Sequence, residues 1–163
     1  MSDFANLSDA GRQLAPQLAL ALSDAPDAIL LAALPNGVPV SLGISETLPL
    51  PVQALPVHRS DDGALVDAMP GLEGRTVVVV DDGVETGSVA RAAAAAMRAS
   101  DVGRLVLAVP VCPRDALTDL HRRYDLAVAL VKPFGRRSLS WHYDDFDVID
   151  VGEARRLLAE AAS

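Results

Sequence analysis

Two adjacent carboxylates, Asp81 and Asp82, follow the run Thr76–Val80, in which four valines stand in a row. Behind them come Gly83, Val84, Glu85, Thr86, Gly87, Ser88 and Val89, and then an alanine-rich stretch. Four consecutive β-branched residues resist helix and favour a buried strand. The alanine-rich stretch favours a helix. A strand that ends in two carboxylates, a short loop with two glycines and an immediate helix start together make an anion site. The first helical turn leaves backbone N–H groups unpaired, and the helix dipole adds positive potential. Carboxylates beside such a site accept hydrogen bonds from vicinal sugar hydroxyls, which a site for bare phosphate does not need. The ligand class implied is a sugar phosphate or a nucleotide. A solvated acidic turn is the plain alternative for Asp81 and Asp82, and the Thr86-Gly87 helix start behind them weighs against it.

The elements that must position this loop follow from periodicity. Residues 7–22 read as an amphipathic helix, with Ser8 as its N-cap and Leu14, Leu18 and Leu22 four apart. Residues 28–34 are continuously apolar, as in a strand buried on both faces, and end at the turn Pro35-Asn36-Gly37. A weaker strand is expected over residues 52–57 and an acidic loop over 58–74. After Thr76–Val80 come a helix (89–99), a strand (105–111), a helix (113–124), a strand (Leu126–Val131) and a final helix (152–162). Strands alternating with helices at this spacing predict an α/β domain, doubly wound, with a mainly parallel sheet and helices on both faces. One domain over residues 1–163 is expected, with 133–163 as a closing segment or hood.

Composition bounds the remainder. The chain has 163 residues, a formal net charge of −8 and 50% hydrophobic residues, which excludes global disorder. Net acidity argues against a long nucleic acid as partner. One cysteine, Cys112, excludes an intramolecular disulfide framework. The sequence opens without a basic-then-apolar leader and holds no apolar run of about 18 residues, so a soluble cytoplasmic protein with no membrane partner is expected.

Asp81-Asp82 with Thr86-Gly87 after a valine-rich strand resembles the phosphoribosyl pyrophosphate (PRPP) signature of the type I phosphoribosyltransferases. The likeness extends to a bacterial phosphoribosyltransferase group. Phe4 with Ala10-Gly11-Arg12-Gln13-Leu14-Ala15 is similar to its opening helix, and Leu34-Pro35-Asn36-Gly37-Val38-Pro39-Val40 to its first loop. Trp141-His142-Tyr143-Asp144-Asp145-Phe146 is similar to its closing aromatic segment. The resemblance implies that Asp81 and Asp82 bind the ribose hydroxyls of PRPP. It implies that the loop from Gly83 to Val89 binds the 5′-phosphate, with Val84 to Val89 cradling it through N–H groups and the Thr86 and Ser88 hydroxyls. Pro35, Asn36 and Gly37 would face the pyrophosphate. Mg²⁺ would arrive on PRPP oxygens without direct protein ligands. A small nitrogenous acceptor would displace pyrophosphate from ribose C1, and a nucleoside monophosphate is the corresponding product-type ligand.

The chain also departs from that pattern. Val89 stands where a second threonine is usual, and the first loop is one residue shorter and lacks its arginine. His58-Arg59 replaces the cation expected after the second strand. Glu85 adds a negative charge beside the phosphate, either as a catalytic base or as a helix cap. These departures leave a second reading open, a catalytically inactive PRPP or nucleotide-binding module acting as sensor or partner subunit.

Other residues have plain readings. Cys112 reads as a buried small hydrophobe. His121 reads as a surface residue, and His142 is the only histidine considered near a ligand. Trp141, Tyr143 and Phe146 are half of the six aromatic residues. They read first as core packing and second as a stacking hood, with Tyr143 the ring expected to be exposed and to meet a base. Arg136-Arg137 are either charge for a phosphate or a solvated turn. A homodimer is expected.

Overall fold

The computed structural model describes residues 2–162. In chain order the elements are α1 (Leu7–Ala21), β1 (Ile29–Ala33), α2 (Gly37–Ser45), β2 (Val52–Leu55), the short strands β3 (His58–Ser60) and β4 (Gly63–Leu65), and β5 (Thr76–Val80). They continue with α3 (Ser88–Ala99), β6 (Arg104–Val111), α4 (Arg114–Arg123), β7 (Leu126–Val131), a 3₁₀ turn (Leu139–His142) and α5 (Val151–Ala161). Five strands form one sheet in the order β2-β1-β5-β6-β7, and every pairing in it is parallel.

The valine run explains why helices cover both faces. In β5, Val77 and Val79 pack into one core with Ala93 and Met97 of α3 and Leu120 of α4. Val78 and Val80 point the other way, into a core with Leu14 and Leu18 of α1 and Val40 and Ile44 of α2. The period-two alternation of a strand thus serves two apolar layers at once. α5 closes the β1–β2 edge, where Ala154 packs against Ala32, Leu34 and Val38.

Three features differ from expectation. α1 is capped by Asn6, whose Oδ1 accepts from the Asp9 N–H at 2.8 Å, while Ser8 lies inside the helix. α2 is a helix that periodicity does not reveal. Its sequence, GVPVSLGIS, is apolar on almost every side because almost every side is buried, and Pro39 sits in the first turn, where a missing N–H costs nothing. The expected acidic loop contains an antiparallel hairpin, with His58 opposite Leu65 and Ser60 opposite Gly63. Its strands span three residues each and are largely exposed, too short and too wet for an alternation to register.

α1 and α2 cross at glycines. A Cβ on Gly11 would lie 2.0 Å from the Val40 carbonyl oxygen, and one on Gly43 would lie 2.2 Å from that of Ser8. The N-terminal segment pairs with the closing segment: the Phe4 N–H donates to the His142 carbonyl at 3.0 Å, and the Asp144 N–H donates to that of Phe4 at 2.8 Å. The Phe4, Tyr143 and Phe146 rings stack in series, with centroids 5.4 and 5.1 Å apart.

Candidate functional site

β1 and β5 are neighbours whose onward connections run to opposite sides of the sheet, β1 towards β2 and β5 towards β6. A crevice opens outside the carboxyl ends of strands at such a reversal. Here it is a cleft of about 460 Å³. It gathers Pro35 and Asn36 from the end of β1 and the whole segment from Asp81 to Ala90 from the end of β5. Arg59, Leu139 and Phe146 add to its walls, and Val79, Leu107 and Val109 line it from the sheet.

The turn after β1 approaches β5 closely. The Leu34–Pro35 peptide is cis, and a Cβ on Gly37 would sit 2.4 Å from the Val80 carbonyl oxygen, so only glycine fits there. The contact sets Asn36 beside Asp82, with Asn36 Nδ2 donating to Asp82 Oδ2 at 3.2 Å. Asn36 Oδ1 accepts from the Ile149 N–H at 3.0 Å. Asp81 and Asp82 are each only 9% exposed. The Asp82 N–H donates to Asp81 Oδ1 at 2.8 Å. Burial, reinforced by the charge of Asp82, holds Asp81 well above the usual carboxylate range. Asp82 is raised too, chiefly by burial, against the opposing hydrogen bonds with Asp81 and from Asn36 and the charge of Arg59.

The loop between β5 and α3 turns on two glycines. Gly87 has φ of +90° and leads into α3, and Gly83 has φ of +147° beneath the Leu139 side chain. Among the described residues, the N–H groups of Glu85, Thr86, Gly87, Val89 and Ala90 donate to no protein group. Thr86 and Ser88 bring their hydroxyls to 3.1 Å of each other. Val84 departs from the expected cradle, because it is buried and its N–H donates to the Val111 carbonyl at 2.8 Å. That bond continues the β5–β6 edge and leaves Val84 nothing to offer an anion.

Glu85 is exposed to the cleft, yet its Oε1 accepts from the Leu139 N–H at 3.0 Å and its carbonyl accepts from Arg136. Arg136 also pairs with Asp115 at 3.1 Å. Arg137 lies over the Trp141 ring instead, 4.4 Å from its centroid. Of the expected replacement cations, Arg59 lines the cleft and donates to the Leu34 carbonyl at 3.0 Å, whereas His58 pairs with Asp67 at the surface.

The aromatic assignments change. Tyr143 is buried, and its hydroxyl donates to the Asp82 carbonyl at 2.8 Å, so it supports the carboxylate loop from behind and offers no open face. Phe146 is the ring that lines the cleft. His142 is buried beside Asp3, with 2.8 Å between Nδ1 and Oδ2, and lies outside the cleft lining. Leu139 was not singled out by the sequence, and no local signal marks it: its place depends on a fold-back onto Gly83. Cys112 is buried, and burial pushes its thiol up to about 11, which makes it inert. Among the described residues no group of three or more His, Cys, Asp or Glu side chains is arranged to hold a metal ion, and no helix is long and apolar enough to cross a membrane.

No family model matches the chain. Two curated proteins, each named "Putative phosphoribosyl transferase" and each from a Mycobacterium tuberculosis strain, are 28% identical to it over an alignment of 223 residues. That alignment takes in 100% of this chain and 49% of each relative, so the chain spans about half their length. Among solved structures, TT1426 from Thermus thermophilus superposes with a TM-score of 0.83 at 24% identity, covering 98% of this chain and 99% of that one. A purine phosphoribosyltransferase from Pyrococcus horikoshii superposes with a TM-score of 0.56 at 14% identity over 83% and 99% of the two chains. A hypoxanthine phosphoribosyltransferase from Staphylococcus aureus gives 0.58 at 13% identity over 78% and 73%. Across its whole length the chain is similar in sequence to proteins named as phosphoribosyl transferases, and its parallel sheet has the fold of the phosphoribosyltransferases it superposes on.

Proposed function

We propose that the chain is a Mg²⁺-dependent phosphoribosyltransferase that takes PRPP and a small nitrogenous acceptor and releases pyrophosphate. The observation that carries this reading is the meeting, in one cleft, of two buried carboxylates with a run of unengaged backbone N–H groups. A sugar phosphate calls on both sets of partners, carboxylates for its hydroxyls and N–H groups for its phosphate. The names of the sequence relatives support the same class.

Asp81 and Asp82 accept from the ribose 2′- and 3′-hydroxyls. The N–H groups of Glu85 to Gly87 and of Val89 hold the 5′-phosphate, with Thr86 and Ser88 adding hydroxyl donors. Pro35, Asn36 and Gly37 face the pyrophosphate, and Arg59 supplies the cation on that side. Neighbouring hard oxygens whose charge burial disfavours suit a divalent cation, so the carboxylate pair fits Mg²⁺ held through PRPP and water. When bound, Mg²⁺ supplies charge neutralisation to the leaving pyrophosphate. In the reaction an acceptor nitrogen forms a bond to ribose C1 as the C1–O bond to pyrophosphate breaks. Pyrophosphate leaves with the electron pair, and the acceptor nitrogen gives its proton to solvent water. Such displacement depends on stabilising charge on the departing group and needs no covalent nucleophile. Phe146 offers the cleft an apolar face for a planar acceptor. The setting we assign is the cytoplasm, with small-molecule ligands.

A calorimetric titration with PRPP and Mg²⁺, with ribose 5-phosphate and a panel of nucleoside monophosphates as comparators, tests the reading. Binding of PRPP that requires Mg²⁺, followed by pyrophosphate release in an acceptor screen, is the expected result. Absence of binding by every one of these ligands overturns it. PRPP binding without turnover on any acceptor assigns a binding module instead.

A further inference from the structure

Glu85 and Asn36 belong to the two different loops that face the cleft, and both hold the same distant segment. Glu85 Oε1 accepts from the N–H of Leu139, and Asn36 Oδ1 accepts from the N–H of Ile149, each at 3.0 Å. Because both donors are backbone groups, the ties fix the path of the chain over residues 139–149 rather than the rotamer of a side chain. Phe146, the aromatic wall of the cleft, lies between the two anchors. The same two residues stay joined to the ligand loops: Arg136 adds a second tie to the Glu85 carbonyl, and Asn36 Nδ2 donates to Asp82. A proton-transfer base keeps its carboxylate free to meet the acceptor. Glu85 instead has one oxygen engaged by its own chain, in the geometry of a strut.

We propose that Glu85 and Asn36 are positioning residues that strap segment 139–149 to the phosphate loop and to the pyrophosphate-side turn. Filling the phosphate loop then fixes the aromatic wall that the acceptor meets. The proposal rests on the PRPP reading of the cleft for the identity of the ligand, and on the two backbone ties alone for the strap.

The test is amide hydrogen exchange on the full chain, comparing wild type with Glu85→Ala, Glu85→Gln and Asn36→Ala, with and without ribose 5-phosphate. A glutamine keeps an oxygen acceptor for Leu139 and an alanine does not. Exchange at Leu139 is expected to quicken about tenfold in Glu85→Ala and to return towards wild type in Glu85→Gln. Asn36→Ala is expected to quicken Ile149 in the same way. In wild type, ribose 5-phosphate, which carries no base, is expected to slow exchange across 139–149, and in Glu85→Ala it does not. Unchanged Leu139 exchange in Glu85→Ala overturns the strap, as does equal loss in the alanine and glutamine variants. Ribose 5-phosphate that binds by calorimetry yet leaves 139–149 unprotected also overturns it. Failure of ribose 5-phosphate to bind wild type counts against the PRPP reading, and the ligand-free comparison still decides the strap.

Discussion

Asp81 and Asp82 stand side by side with little water around them, and the fold carries that burden for the sake of its cleft. A carboxyl whose folded pKa is raised keeps its proton when the unfolded chain has already lost it. Stability from such a group is therefore intact below the ordinary carboxylate range, about pH 4, and falls as pH rises through the elevated folded value. Asp81→Asn keeps an oxygen for the Asp82 N–H and removes the charge. We expect it to raise Tm at pH 7 by about 2–4 °C, with the gain vanishing below about pH 4, as thermal melts across pH will report. Asp82→Asn is expected to leave the fold intact while lowering PRPP affinity or pyrophosphate release by about one to two decades, the worth of a charged hydrogen bond. The sequence displays these two residues openly, because a valine strand, a carboxylate pair and a glycine-bounded loop are contiguous. Tyr143 shows the opposite case. Its burial depends on Phe4, far away in the chain, and neither residue's surroundings mark it as buried.

Among the elements, the strands were the legible part. Apart from β2, the strands of the parallel sheet are apolar for long enough to announce themselves, and β5 and β7 fall at their expected bounds. α2 was illegible for a physical reason. A helix enclosed by α1, β1 and the rest of the core loses the polar stripe that periodicity detects. Its closeness to α1 shows in two glycines whose meaning only the crossing reveals. Gly43→Ala is expected to destabilise the chain by about 1–3 kcal/mol, because the nearest atom to its new Cβ is backbone and cannot move aside. Gly135→Ala is the control, since nothing lies within 4 Å of a Cβ there, and it should stay within about 0.5 kcal/mol. Urea midpoints of the two variants settle the comparison.

Taken whole, the molecule ties its opening segment to residues 142–144 behind the carboxylate loop. Phe4 is 2% exposed and stacks on Tyr143, whose hydroxyl holds the Asp82 carbonyl, so a change at the start of the chain reaches the carboxylates in two steps. Phe4→Ala is expected to cost about 3–5 kcal/mol in denaturant unfolding and to quicken amide exchange over residues 142–147. Exchange that stays slow there would mean that the closing segment is held from the cleft side alone.

That pairing also bears on how the protein is made. Asp3 and its partner His142 are 139 residues apart. At ordinary rates of synthesis an interval on the order of ten seconds separates the appearance of one from that of the other. In the later part of that interval the loop after β5 is already translated, while the segment that roofs and supports it is not. A nascent chain therefore carries the carboxylates before it carries their shelter, and the cleft is completed only when residues 139–149 have followed.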